Sequence, residues 1–227
     1  IAEPVLAATL AQALGFSLLA VWLPLRRFRA TRPTSAGTIE TPPGGLFLLL
    51  GAGFMLAEFA VLEKLRLFLN EPVLAVGVTL AAFLALAGIG GGCSTRLMDV
   101  EQPFLKTIGL STLGVMGMVL VYLMGLTPLL DSLMGLPMSL RLTLAPFIIA
   151  PLALAMGLPY PLAVAALKRT RIKAIPWAWG LNGCGALLGP VVGMGLAVYG
   201  GIRVVLGAAA LCYGLAAVVV FWRAGRG

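Results

Sequence analysis

Long apolar stretches recur along this chain, at residues 4–25, 45–69, 72–92, 106–128, 141–166, 178–199 and 202–222. Each is close to the ~20 residues that a helix needs to cross the hydrocarbon core of a bilayer. Backbone polar groups have no water to bond with in lipid, so only helices and closed barrels span it. The stretches lack the apolar/polar alternation of barrel strands. The expectation is an all-α polytopic membrane protein of seven transmembrane helices.

Composition agrees. Residues of the set AVILMFWYC make up 60% of the 227 and charged residues 11%, against roughly 25% charged in a soluble domain. Mean hydropathy is +1.05. A water-facing globule could not cover itself with so few charges, and disordered chains are poor in apolar residues. The chain has no histidine, which removes His-ligated haem, most zinc sites and any Ser-His or Cys-His catalytic couple. Cys93, Cys184 and Cys212 are far apart and form no Cys-x-x-Cys pair. No catalytic residue, metal site or cofactor is expected in this chain, and the cysteines read as small packing residues. The chain starts with Ile, as a piece of a longer protein would, and residues 1–30 lack a signal-peptide pattern.

The basic residues set an orientation. Arg26, Arg27, Arg29, Arg32, Arg96, Lys106, Lys168, Arg169, Arg171, Lys173, Arg223 and Arg226 follow the first, third, fifth and seventh stretches; Lys64, Arg66, Arg141 and Arg203 fall on the other side. The positive-inside bias puts the first group in the cytoplasm, hence N-terminus out and C-terminus in. The net charge of +8 is then a rim facing anionic lipid, and no nucleic-acid partner is expected, because the basic runs lack interleaved aromatics. Residues 1–25 read as a first transmembrane helix, 26–44 as a Pro- and Ser-bearing cytoplasmic linker, and 45–227 as a six-helix membrane block. Leu126 to Met138, with Pro128, Asp131, Gly135 and Pro137, reads as a broken connection.

A few residues depart from this apolar background. Glu58 lies inside the second stretch, where a carboxylate costs about 2.5–3.5 kcal/mol on insertion scales for a helix centre. It is read as a binding or proton-relay group, as an anchor bonded to a neighbouring helix, or as a carboxylate close enough to the outer interface to be hydrated, which Glu63 and Lys64 within the next two turns support; Arg141 and Asn182 are its expected partners. Asn182 lies one turn inside Trp177 and Trp179, which mark a headgroup level, and is either interhelical glue or part of a polar pocket. Gly185, Gly189 and Gly193 recur every fourth residue and form a ridge that lets helix backbones approach, within the chain or at a dimer seam or lipid groove. The two prolines of Gly157-Leu158-Pro159-Tyr160-Pro161 interrupt the fifth stretch, as a hinge or a ligand-facing bend.

Four segments together carry a resemblance: GFMLAEFAVLEKLRLFLNEP (53–72), the Gly-rich run at 88–92, GLPYP (157–161) and PWAWGLNGCGALLGP (176–190). In order and spacing they resemble the C-terminal membrane block of bacterial spermidine-synthase-like integral membrane proteins, over about residues 45–222. The resemblance implies a multi-pass protein of the bacterial inner membrane, whose longer relatives carry a soluble S-adenosylmethionine-binding domain. Two departures stand out. Asn70-Glu71-Pro72 replaces the Gly-His-Pro expected of the family, and no strand, Gly-rich turn and helix with a following acidic residue is present to hold a nucleoside. The leading expectation is therefore a non-catalytic transmembrane module, in contact with lipid, that anchors or assembles a larger membrane complex with other membrane subunits or as a homo-oligomer, through Gly-rich helix faces. One alternative is a transporter- or channel-like domain for a small cationic solute, lined by Glu58 and Asn182. A second is the membrane part of an aminopropyltransferase- or methyltransferase-like enzyme whose cofactor domain lies outside this chain.

Overall fold

The computed structural model describes residues 11, 12, 15, 42–98 and 104–226, of which 95–98 as backbone alone. Among these the chain is all-α: α1 Gly44–Leu69, α2 Pro72–Met98, α3 Phe104–Leu133, α4 Met138–Met156, α5 Pro159–Thr170, a 3-10 turn Ile172–Ala174, α6 Ile175–Gly200 and α7 Ile202–Ala224. Six spans, with α4 and α5 counted together as Met138–Thr170, are long and apolar enough to cross a membrane. Most of the predicted first span and linker lies outside the described residues; residues 11, 12 and 15 are helical.

The spans alternate in direction. One end of the bundle, the Gly44 end, carries the Thr170–Ile175 joint and the Ala224 terminus; the other, the Asn70 end, carries the tight turns at 70–71, 134–137 and Gly201. Asn70 closes α1 in the left-handed conformation, φ 52°, with its N–H on the Arg66 carbonyl. Asn tolerates that region better than other residues with a β-carbon. The turn thus forms without the glycine expected at this position.

α1 is the central helix. It packs against α6, α7 and α2 and touches α3, α4 and α5 as well. Leu46, Ala57, Ala60, Val61 and Leu65 on it are completely buried. The outer surface is the reverse of a soluble protein's, with Val73, Leu84, Met124, Phe147 and Leu211 broadly exposed. In lipid such side chains meet a solvent as apolar as themselves, so this surface contacts the bilayer.

Glycines set the tightest joints. A β-carbon at Gly185 would overlap the Leu48 carbonyl oxygen, and one at Gly51 would overlap that of Asn182. Gly189 faces the Met55 β-carbon at 2.6 Å and Gly193 the Phe59 ring at 3.1 Å, measured from the position a β-carbon would take. The ridge of α6 is therefore used inside the chain, against α1, and is not available to another subunit. At the α2–α4 crossing, Gly157 sits on Ala87 and Gly91, and Gly90 on Leu154. The GLPYP break is thus a packing joint: α4 ends at Met156, and Pro159 starts α5, where its missing N–H leaves no helical bond unmade.

One boundary differs from the sequence expectation. Pro128 does not end its helix; α3 continues through it to Leu133, and only 134–137 form the break. In a membrane, neighbouring helices and local adjustment compensate for the N–H that an internal proline lacks. Pro146, Pro151 and Pro190 are likewise internal.

Candidate functional site

Four polar or charged residues are buried among those described: Glu58, Thr79, Ser94 and Thr112. Two satisfy themselves. Ser94 donates to the Gly91 carbonyl at 2.6 Å, and Thr112 to that of Gly109 at 2.8 Å, both within their own helix. The other two do not. Glu58, 8% exposed, has no hydrogen bond or ion pair among the described residues; the one ion pair there is Glu63–Arg66 at 2.7 Å. The Thr79 hydroxyl is fully buried and has no partner among the described residues.

Glu58 and Thr79 lie on one interface; of the two, the Thr79 hydroxyl is the one fully buried without a partner among the described residues. Phe54 of α1 and Phe83 of α2 meet edge to face, ring centroids 6.0 Å apart. Glu58 lies one turn after Phe54, and Thr79 one turn before Phe83. The helices run in opposite directions, so both steps lead the same way along the bundle and stay on the facing sides. Glu58 also falls between two contacts on its own helix. At 100° per residue it lies about 40° from Phe54, which meets α2, and about 60° from Met55, which meets α6. α2 and α6 both pack on α1 but share no substantial interface. Glu58 therefore sits at the floor of the seam between them, along a stripe of half-buried residues that includes Met55, Phe59 and Leu62.

The expected pairing of Glu58 with Arg141 and Asn182 is not made, and the structure does not bring the three together. Arg141 donates from Nε to the Leu136 carbonyl and from a terminal guanidinium nitrogen to the Phe68 carbonyl, each at 2.9 Å, and lies 5.9 Å from the Phe68 ring centroid. Phe68 is ten residues beyond Glu58, about 15 Å along the helix. Asn182 packs its backbone carbonyl against Gly51, seven residues before Glu58, about 10 Å the other way. Burial on a helix identified Glu58 from sequence; which helices face it was set by packing that periodicity alone does not reveal. Thr79 carried no signal in the sequence, because a threonine in a transmembrane helix ordinarily bonds back to its own backbone.

One further feature is lateral. Met118, Tyr122, Leu126, Leu133, Phe147 and Pro151 border an apolar groove of about 510 Å³ between α3 and α4. Its polar group, the Tyr122 hydroxyl, is already engaged, donating to the Ile148 carbonyl. No cluster of three Cys, Asp or Glu able to hold a metal occurs among the described residues. Compared with protein-family models, curated proteins and solved structures, the chain matches none.

Proposed function

We propose that this chain is the non-catalytic membrane module of a spermidine-synthase-like protein of the bacterial inner membrane, anchoring or assembling a larger membrane complex. The observation that carries this reading is the burial of α1. Leu46, Ala57, Ala60, Val61 and Leu65 fill the centre of the bundle with apolar side chains, the interior of a rigid membrane plug. The Gly185, Gly189 and Gly193 ridge serves that internal packing, so assembly relies on other helix faces than the one expected from sequence. The Gly44 end, which bears Lys168, Arg169, Arg171, Lys173, Arg223 and Arg226, is read as cytoplasmic by the positive-inside bias.

The test is the composition of the native particle. The tagged full-length protein, extracted mildly from its own membrane and cross-linked beforehand, is expected to run as an assembly with defined stoichiometry, its partner cross-linked to the apolar outer surface of the bundle. A particle that is monomeric both in cross-linked membranes and after extraction would overturn the reading.

A second reading has one specific observation in its favour. Glu58 is a buried carboxyl without a countercharge, as in membrane domains that take up a small cationic solute. It predicts solute uptake that is lost in Glu58→Gln while folding is kept.

A further inference from the structure

We infer that Glu58 and Thr79 form a membrane-embedded binding site for a primary ammonium group carried on an apolar body, entered from the bilayer through the seam between α2 and α6. The inference shares Glu58 with the transport reading but needs no passage across the membrane, so absence of uptake leaves it standing. It is equally independent of the assembly reading.

The argument starts from unmet hydrogen-bonding capacity. A buried hydroxyl costs free energy when left unpaired, as does a carboxylate facing hydrocarbon, and in lipid no water replaces the missing partner. The chain shows how it normally avoids this: Ser94, Ser111, Thr112, Ser132, Thr143 and Thr170 all donate to a carbonyl three or four residues earlier. Thr79, buried as completely as Thr112, does not. It is placed one turn from Phe83, on the face of α2 that meets α1, level with Glu58.

The donor and acceptor set then defines the ligand. A carboxylate only accepts, and a hydroxyl accepts as well as donates. Together they suit a compact cation with several N–H donors, and a primary ammonium has three. A divalent metal ion would want more oxygen ligands, typically six to eight for calcium, and the described residues hold no acidic cluster. The surroundings define the rest. Met55, Phe59 and Leu62 are half-buried along the same stripe, so the body attached to the ammonium must be apolar. Access is lateral, because the axis of the bundle is filled by α1 and the seam is bounded by two helices that do not close on each other.

The full chain in lipid nanodiscs tests this with a photoreactive dodecylammonium probe, cross-linked peptides being mapped by mass spectrometry. Labelling is expected on α1 between residues 55 and 62 and on the Thr79 turn of α2. Unlabelled dodecylammonium should displace it, and dodecanol, which has the same tail without the charge, should not. Glu58→Gln should lower labelling at least tenfold and Thr79→Val several-fold, with Glu58→Asp retaining part of it. The variants are compared at equal monodispersity. Labelling that persists at full strength in both Glu58→Gln and Thr79→Val, displacement by dodecanol as efficient as by the amine, or labelling confined to other helices would each overturn the inference.

Discussion

The Arg141 guanidinium bonds to the Phe68 carbonyl at 2.9 Å across 73 residues of sequence, joining the start of α4 to the last turn of α1. Phe68 is one of the carbonyls that a helix end leaves without an intrahelical donor, and a cation there also opposes the negative end of the helix dipole. A second bond to the Leu136 carbonyl fixes the 134–137 turn to the same point. Arg141 is thus a clasp at the Asn70 end. Arg141→Met should lower stability by about 1–3 kcal/mol, the range for hydrogen bonds to a charged group, as read by reversible unfolding in mixed micelles. Arg141→Lys should recover only part of this, since a lysine cannot reach two carbonyls with a planar fork. An unchanged Arg141→Met protein would show that the clasp is not holding the end together.

Glycines of one helix should differ sharply in tolerance. Gly185 is pressed against the backbone of α1, whereas nothing lies within 4 Å of where a β-carbon at Gly195 would be. Gly185→Val should destabilise the bundle by roughly 1–3 kcal/mol or prevent its assembly, through overpacking. Gly195→Val on the same helix should be near neutral. Thermal aggregation in detergent compares the pair directly. Equal sensitivity would mean that α1 and α6 do not approach closely at Gly185.

The orientation is open to direct labelling. Arg203 and Lys173 lie at opposite ends of α6 and its neighbouring turns, beyond Gly200 on one side and before Ile175 on the other. In intact cells, a membrane-impermeant maleimide should modify Arg203→Cys and leave Lys173→Cys unmodified until the cells are lysed. Background from Cys93, Cys184 and Cys212 is removed by replacing them with Ala or Ser. The opposite pattern would place the basic Gly44 end outside.

Much of the architecture was legible because hydrophobic length is a strong signal. The predicted stretch 45–69 became Gly44–Leu69, and 202–222 became Ile202–Ala224. The extent of α3 was not, since a proline inside a helix is costly in water yet tolerated among neighbouring spans, so Pro128 looked like a stop and was not one. Glu58 stood out because a carboxylate in an apolar run is expensive. Its surroundings did not, because α1 touches every other helix of the described residues, and only the three-dimensional arrangement shows that α2 and α6, not the Arg141 turn, flank it. Thr79 is the extreme case: its lack of a partner among the described residues shows only once the helices are packed together.

That lack makes Thr79 the place where stability and binding should part. Among the described residues its hydroxyl is buried with no partner, and valine has nearly the same shape without the polar group. Removing an unpaired buried polar group relieves its desolvation cost, about 1–3 kcal/mol by mutational data. Thr79→Val should therefore raise the unfolding midpoint of the free protein while weakening the amine labelling described above. A control on the same logic is Thr112→Val, whose hydroxyl is bonded to the Gly109 carbonyl at 2.8 Å; it should not stabilise and should leave labelling unchanged. If Thr79→Val instead destabilises as an ordinary hydrogen-bond deletion would, the hydroxyl has a partner in the membrane already, and the interior site is occupied by the protein itself.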